Sequence, residues 1–272
     1  MSLIIASNLD VAALNIAKHL IEDYHFEKQD SIMFGNQYYA KSLNDGETLK
    51  LCFIDEESVN SQSIQFPPDT RLVIFISRHK SESGRPTLSV HVPGNIGEQS
   101  LGGLPRKVSI APASAMKEAL KAMKEAHEEA DLGYEVSYEC THHGPSLDIP
   151  TLFVELGSTM REWTSSEAAA IVAKGAIAAA SNRNISPTVV GIGGPHYNMK
   201  FTRMALETET AFGHIIPKYM VKVLDKDILM HCIQRNLEPV KKILLDWKGI
   251  EGKDKERLMR LVSDTNLEVQ KV

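Results

Sequence analysis

The stretch THHGPSLDIPTLFVELGS, residues 141–158, places two adjacent histidines in a turn and then a glutamate inside an apolar run. Residues 151–156 have the length and the branched and aromatic side chains of a buried strand. Glu155 lies within this run, and a buried carboxylate is unfavourable unless a cation or a hydrogen-bond donor neutralises it. Imidazole and carboxylate groups together are typical ligands of a divalent metal. We therefore expect His142, His143 and Glu155 to share one site.

The length and composition are those of a globular protein. The chain has 272 residues, and we predict a single domain over residues 1–272, within which 220–272 could form a C-terminal subregion. Hydrophobic residues make up 43% and charged residues 24%, which is ordinary for a soluble enzyme. The net charge of −5 argues against a protein that coats nucleic acid, so we expect no DNA partner. It is compatible with a protein that binds only one end of a nucleic acid.

The cysteines and the apolar runs bear on the compartment. Cys52, Cys140 and Cys232 are too few and too scattered for a disulfide framework, which favours a reducing environment. The N-terminal segment MSLIIASNLD does not have the pattern of a signal peptide. No run approaches the roughly 20 apolar residues that a membrane helix needs. We expect a cytoplasmic monomer without a membrane partner.

Predicted strands alternate with predicted helices along the chain. We predict strands at residues 3–7, 49–54, 72–76, 134–140, 151–156, 188–192 and 240–246. We predict helices at residues 11–24, 113–131, 164–181, 225–235 and 251–263. Thr164 and Glu167 have the spacing of a capping box at the start of the third helix. This order predicts an α/β fold with three layers, α/β/α, around a mixed, mostly parallel sheet.

Polar residues follow many of the apolar strands, and ligand sites of α/β proteins form at the carboxyl ends of parallel strands. Six of the 10 histidines lie in such segments, at positions 79, 91, 142, 143, 196 and 214. A single histidine at a strand end is more often structural, so the coincidence of several carries the argument. From the residues alone, three alternatives stay open. They are a metal-dependent or acid–base hydrolase, a ligand-binding α/β domain without chemistry, and an enzyme of the nucleoside phosphorylase type.

Several motifs resemble those of the archaeal and plant type of D-aminoacyl-tRNA deacylase. They are SRH at 77–79, HVPGN at 91–95, THHGP at 141–145, VELGS at 154–158, GIGGPHY at 191–197, AFGHIIPKY at 211–219 and DWKG at 246–249. The motifs occur in the family's order, and with the preceding strands and helices the resemblance covers nearly the whole chain. The GGPH segment departs from the GGGH of some members, and Pro195 has no amide N–H to offer a ligand.

The resemblance implies a hydrolase that cleaves the ester between a D-amino acid and the terminal ribose of tRNA. It implies an α/β/α fold related to the phosphorylases, the peptidyl-tRNA hydrolases and the zinc exopeptidases, with a small C-terminal extension. It further implies zinc, with two ions per subunit, and activity on many D-amino acids. The expected partner is the acceptor end of D-aminoacyl-tRNA.

The candidate site residues are the polar residues inside the matched motifs. As metal ligands we expect His91, His142, His143 and Glu155. As catalytic residues we expect Glu139, the general base, together with His196, His214 and Lys218. As substrate-binding residues we expect Arg78, His79, Asn95, Gly193, Gly194 and Tyr197. For contacts with tRNA phosphates we expect Arg85, Arg106, Lys107, Lys200, Arg203, Lys218 and Lys222. A metal-free alternative, in which the histidines orient the terminal adenosine, also stays open.

Overall fold

The computed structural model describes residues 1–43, 45–98 and 101–272, and within these ranges the chain forms two β-sheets with flanking helices. The strands of the larger sheet are β1 (Ser2–Ser7), β2 (Glu27–Met33), β3 (Asn36–Ser42), β4 (Thr48–Ile54), β5 (Leu72–Lys80), β6 (Thr87–His91), β7 (Glu135–Tyr138) and β8 (Thr151–Ser158). The strands of the smaller sheet are β9 (Thr188–Ile192), β10 (Ala211–Ile216), β11 (Val240–Leu245) and β12 (Glu268–Lys271). The α-helices are α1 (Val11–Glu22), α2 (Ala113–Ala130), α3 (Met160–Trp163), α4 (Ser166–Ser181), α5 (Met199–Glu207), α6 (Lys226–Gln234) and α7 (Gly252–Ser263).

The strand order of the larger sheet is β2-β3-β4-β1-β5-β8-β6-β7, and that of the smaller sheet is β10-β9-β11-β12. Strands β4, β1, β5 and β8 are parallel, whereas β6 runs antiparallel to β8 and β7 follows the direction of β6. All pairs of the smaller sheet are parallel. The prediction of an α/β fold with a mostly parallel sheet is confirmed. None of the helices in the described ranges is long and apolar enough to cross a membrane.

Three of the strands that are missing from the predicted list, β2, β3 and β12, are polar. The hairpin of β2 and β3 has the sequences EKQDSIM and NQYYAKS, and neither strand contains a buried residue. Strand β12, EVQK, lies at the edge of the smaller sheet and is mostly exposed. An exposed edge strand needs no apolar alternation, so hydrophobic periodicity does not detect it.

Helices α1, α2 and α4 pack together against one face of the larger sheet. Helix α4 is rich in alanine, and it approaches α2 closely. A Cβ at Gly175 would lie 2.6 Å from Met123 Cγ. The smaller sheet has a separate apolar core, in which strand residues such as Ile243 pack with Leu229 of α6 and Leu258 of α7. The opposite face of the larger sheet carries a smaller apolar cluster, which includes Leu3, Val73 and Phe75, together with the polar residues described below.

The capping box predicted at Thr164 and Glu167 is wrong. Thr164 has helical dihedral angles and ends α3, and its hydroxyl donates to Met160 O at 2.9 Å. Ser165 caps α4 instead, by accepting a hydrogen bond from Ala168 N. A capping box does form one element earlier, where Thr159 and Glu162 satisfy each other's backbone at the start of α3. Because the short helix α3 ends at Thr164, the next residue, Ser165, is the N-cap of α4.

The N-terminus of α2 is capped by the side chain of Glu238, which is 125 residues away from Ala113 in the sequence. Pro112 precedes the helix and offers no side-chain hydrogen bond. The carboxylate of Glu238 accepts from Ala113 N and from Ser114 N, each at 3.1 Å. Glu238 lies between α6 and β11 and is 7% exposed. Its carboxylate therefore joins a helix of the larger sheet to the segment that leads into the smaller sheet.

We expect Glu238→Ala to lower the free energy of unfolding by about 0.5–2 kcal/mol, because loss of an N-terminal cap costs that amount. The measurement is urea-induced unfolding followed by circular dichroism. Glu256→Ala is the matched control, since the side chain of Glu256 is 84% exposed. Equal unfolding midpoints for the two variants would contradict the role of Glu238.

Candidate active site

One face of the larger sheet carries polar side chains at alternate positions of neighbouring strands. They are Ser77 and His79 on β5, Glu155 on β8, Ser89 and His91 on β6, and Ser137 on β7 with Glu139 directly after it. Alternate residues of a strand point to the same face, and the register pairs Glu155 with both Ser77 and Ser89. The repeated pattern Ser-x-His, Ser-x-His, Ser-x-Glu is visible in the sequence, and its period of two indicates one shared face.

Three imidazoles meet above this face. One ring nitrogen from each of His91, His142 and His143 lies within 4.8 Å of the others. His142 Nδ1 is 2.8 Å from Cys140 O, and His143 Nδ1 is 2.7 Å from Gly144 O. A carbonyl oxygen only accepts, so Nδ1 carries the proton in both rings and Nε2 keeps its lone pair.

The protonation of these rings suits a metal. Burial, followed by the neighbouring imidazoles, holds the pKa of His142 well below its usual value. Burial lowers the pKa of His143 to about 4, so both rings are neutral at pH 7. His91 is fully buried, and neither of its ring nitrogens has a hydrogen-bond partner in the described part of the chain. Buried polar atoms are rarely left unpaired, and the three imidazoles could together hold a cation.

The histidine turn is fixed by close packing. His143 has a φ of 39°, which is rare for residues other than glycine. A Cβ at Gly144 would lie 2.1 Å from Gly103 N, so the turn rests directly against the backbone of another loop. Asn95 is buried and holds that loop, since its Nδ2 donates to Gly102 O at 2.8 Å. Asn95, predicted to bind substrate, thus supports the turn from behind.

Glu139 is surrounded by imidazoles. Its Oε2 lies 2.7 Å from His196 Nε2 and 3.5 Å from His142 Nε2, and its Oε1 lies 3.2 Å from His79 Nδ1. Although burial alone would raise it, these imidazoles hold the pKa of Glu139 well below its ordinary value. Glu139 is therefore a buried anion, stabilised by its neighbours.

Glu155 lies beside His91, one of the three imidazoles. Its Oε1 accepts from Ser77 Oγ at 2.6 Å. Its Oε2 is 3.4 Å from His79 Nδ1 and 3.5 Å from His91 Nε2. His79 thus stands between two carboxylates, which raise its pKa against the effect of burial. The hydroxyl of Tyr197 forms a hydrogen bond with the other ring nitrogen of His79, Nε2.

Two residues that contact His196, Cys140 and Tyr219, were absent from the prediction. Cys140 Sγ is 3.2 Å from His196 Nδ1, and Tyr219 OH is 3.1 Å from the same nitrogen. Burial alone would lower the pKa of His196, but Cys140 and Glu139 raise it to about 11. Cys140, His142 and His196 form a second group whose ligand atoms could hold a metal. Cys140 could have been found, because it stands between Glu139 and the histidine turn.

The turn of Gly193 and Gly194, which precedes His196, has a constrained backbone. Gly193 and Gly194 have φ angles of 106° and 76°. Gly193 N donates to Ile216 O at 2.8 Å, and a Cβ at Gly194 would lie 2.4 Å from Asn198 Nδ2. The amide of Gly193 is therefore already bonded within the protein.

His214 and Lys218 lie apart from the imidazoles. His214 is fully buried, and its Nε2 donates to Arg235 O at 2.9 Å. Its Nδ1 is consequently an acceptor, and it lies 3.1 Å from Thr141 Oγ1. Lys218 is exposed, and its backbone N donates to Gly194 O at 2.9 Å. His214 thus contacts the histidine turn from outside the cavity.

A cavity of about 510 Å³ opens above the polar face. It is lined by Asp10, Glu57, Ser58, Val59, Asn60, Ser77, Arg78, His79, Lys80, Leu101, His142, His143, Phe153, Glu155 and His196. A larger cavity of about 910 Å³ borders α2 and α5, but it contains none of the predicted catalytic or metal-binding residues. We assign the site to the smaller cavity because the imidazoles and carboxylates converge there.

Comparisons with known proteins agree on one family. Residues 66–270 match the family model described as D-aminoacyl-tRNA deacylase. The D-aminoacyl-tRNA deacylase of Pyrococcus furiosus is 36% identical over 274 residues, which cover 98% of each chain. That of Methanocaldococcus jannaschii is 35% identical over 282 residues, which cover 99% of each chain. A crystal structure described as a conserved protein of unknown function superposes with a TM-score of 0.86 at 30% identity, over 100% of this chain and 95% of that chain.

Proposed function

The chain belongs to the D-aminoacyl-tRNA deacylase family, and we propose that the polar face of its larger sheet is a zinc-dependent active site. As a member, it is a hydrolase that splits D-aminoacyl-tRNA into the D-amino acid and tRNA. The observation that carries the proposal is the grouping of three largely buried imidazoles, two of which line the cavity, with one ring nitrogen of each within 4.8 Å of the others. Neither a nucleotide-binding domain without chemistry nor a nucleoside phosphorylase accounts for that grouping.

We assign the first metal to His91, His142 and His143. Three histidines with a further position open to water or substrate are a common arrangement of catalytic zinc. Glu155, which we predicted as a ligand, makes contacts that suit a different role. Its Oε2 faces His91 Nε2 at 3.5 Å, so it would orient that ring from behind. Such carboxylate–histidine pairs are a regular feature of zinc sites.

A second ion, which the family resemblance implies, would be held by Cys140 and His196. His142 is close to both groups, but its Nδ1 is bonded to a carbonyl, so its one free nitrogen can serve only one ion. Glu139 is the nearest further ligand, since it already contacts His196. Cys140 and Glu139, the neighbours that raise the pKa of His196 to about 11, would equally favour a metal cation beside it.

The protein's own residues then provide positioning and proton transfer. Bound zinc would lower the pKa of a water molecule to about 7 and polarise the ester carbonyl. Glu139 is the candidate general base, because its Oε1, although 3.2 Å from His79 Nδ1, accepts no hydrogen bond among the described residues. His196 fixes the other oxygen of Glu139. His79 lies between Glu139 and Glu155 and reduces their mutual repulsion.

Selection between D- and L-amino acids must come from shape. The enantiomers carry identical groups, so charge cannot distinguish them, and only the direction of the side chain differs. We propose that the apolar wall of the cavity, formed by Val59, Leu101 and Phe153, blocks the L side chain. The D side chain would point to open space, which does not measure its size. Such a cavity would permit activity on many D-amino acids, as the family resemblance implies.

A phosphate-binding surface adjoins the cavity. Arg106, Lys107 and Lys200, which we predicted to bind phosphate, are paired with Asp225, Asp148 and Asp246. We propose instead a basic rim, defined as Lys80, Arg85 and Arg161. Lys80 lines the cavity and pairs in register with Ser158, whose hydroxyl donates to Arg85 O at 2.7 Å. Arg161 follows on α3, with its side chain 92% exposed.

The purified protein should release D-tyrosine or D-aspartate from tRNA and release the L-amino acids about 10³-fold more slowly. That ratio requires roughly 4 kcal/mol between the two transition states, which one severe steric clash can supply. The measurement is deacylation of labelled aminoacyl-tRNA. Equal rates on both enantiomers would leave a general esterase, and release from neither would overturn the proposal.

In a double variant His142→Asn, His143→Asn, the affinity for zinc and the deacylase activity should fall together, each by more than 100-fold. Loss of a residue that only orients a ligand costs about 10–100-fold, so loss of two ligands should exceed it. The measurements are metal analysis and deacylation of D-aminoacyl-tRNA. His25→Asn is the matched control, because His25 is exposed and, like His143, has a positive φ that asparagine tolerates. Full zinc occupancy in the double variant would remove this pair from the ligands.

Replacing Lys80, Arg85 and Arg161 by alanine together should weaken tRNA binding and flatten its dependence on salt. Each lost phosphate contact reduces the log–log slope by about 0.7–0.9, so a change of about 2–3 is expected. Binding is measured at several salt concentrations. Alanine replacement of Lys18, Lys124 and Lys174, on the helix-covered face, is the matched control. An equal change in both triple variants would indicate a general charge effect.

A further inference from the structure

Three carboxylates line the cavity, those of Asp10, Glu57 and Glu155. Asp10 and Glu155 use both of their oxygens in contacts with the protein. Asp10 Oδ1 accepts from Ala12 N and Ala13 N, and its Oδ2 accepts from Arg78 N at 2.7 Å. Glu155 is taken up by Ser77 and the two imidazoles already described. Neither carboxylate has an oxygen left over for a substrate.

Glu57 differs from both. Its Oε1 accepts from Arg78 NH2 at 2.7 Å, and its Oε2 has no hydrogen-bond partner among the described residues. Its side chain is 39% exposed, whereas Asp10 and Glu155 are buried. A carboxylate can accept up to about four hydrogen bonds, so one oxygen of Glu57 is available to a positively charged group in the cavity.

Arg78 holds Glu57 in place. The guanidinium also donates to Leu9 O at 3.2 Å and lies over the ring of Trp163, 5.7 Å from its centroid. These contacts anchor the cation independently of Glu57. A carboxylate held by a fixed partner loses less freedom when it binds a ligand, which strengthens the interaction.

The segment that follows Glu57 connects it to the histidine turn. Residues Ser58–Ser63 form a short 3-10 helix along the cavity. At its far end Gln62 exchanges two hydrogen bonds with the backbone of Ser146, three residues after His143. Glu57 and the histidine turn therefore border the same cavity and are linked by this segment, and Glu57 forms no ion pair with an imidazole in the described chain.

We propose that Glu57 binds the α-ammonium group of the aminoacyl ester and makes the enzyme select substrates with a free amino group. This inference rests on the proposed function. The α-amino group is largely protonated near neutral pH, and it is a positive charge that every aminoacyl-tRNA carries whatever its side chain. A metal site repels this cation, so the carboxylate that receives it must stand away from the imidazoles. Glu57 meets both requirements, and Arg78 acts through it as a positioning residue.

The test compares D-phenylalanyl-tRNA with its N-acetylated form, in which the charge is absent. Wild-type protein should prefer the free amine by about 10- to 100-fold, the effect of one hydrogen bond to a charged group. Glu57→Gln keeps an oxygen for Arg78 but removes the charge. It should lose this preference, with kcat/KM on the N-acetylated substrate changed less than about twofold. Glu57→Asp should retain part of the preference.

Glu56→Gln is the matched control, because Glu56 is the neighbouring carboxylate and lines a different surface pocket. It should leave the preference unchanged. An equal loss on both substrates in Glu57→Gln, or no loss on either, would overturn the inference while the deacylase function stands. A wild-type protein that releases no D-phenylalanine from tRNA would overturn the proposed function and this inference with it.

Discussion

The site is governed by the burial of two carboxylates on one sheet face. Glu139 and Glu155 are 1% and 3% exposed, and anions at such depth are stable only beside cations or strong hydrogen-bond donors. His79 touches both, within 3.2 Å of one and 3.4 Å of the other. His142 and His196 also contact Glu139, and His91 contacts Glu155. This part of the sheet face therefore carries charge in place of apolar side chains, which suits the metal-dependent hydrolase that we propose.

Strand direction decides how these residues meet. Because β6 runs antiparallel to β8, His91 at the end of β6 lies opposite Phe153, near the start of β8. The histidine turn after β7 then reaches the same place. In an all-parallel sheet these residues would lie along one edge. Here they converge on a face, above Glu155 in the middle of a strand. Gly157 keeps that face open, since a Cβ there would lie 2.9 Å from the ring of His79.

The sequence predicts the buried elements well because burial leaves a periodic apolar signal. The strands at 72–76 and 151–156 and the helix from 113 were found in this way, whereas the polar hairpin of β2 and β3 was not. The grouping of His91, His142 and His143 was also predicted, since motifs at strand ends pointed to it. Tyr219 could not be found, because it meets Cys140 across 79 residues through the packing of two sheets. The bond of Gly193 N to Ile216 O depends on the pairing of β9 with β10, which the sequence does not reveal.

The distribution of charge explains how a chain of net charge −5 can act on a polyanion. Many of its cations are neutralised locally, as Arg106, Lys107 and Lys200 are. The basic rim beside the cavity has no such strong pairing, and its closest carboxylate contact in the described chain is 4.0 Å, between Arg161 and Glu162. Attraction is therefore concentrated where the tRNA end would enter, while the free carboxylate of Glu57 inside the cavity suits the ammonium rather than a phosphate. Phosphates outside, an ammonium at one wall and an ester above the imidazoles would occupy three regions of different charge. A substrate that enters in the wrong orientation would meet like charge in at least one of them, so the proposed arrangement would align aminoacyl-tRNA as well as bind it.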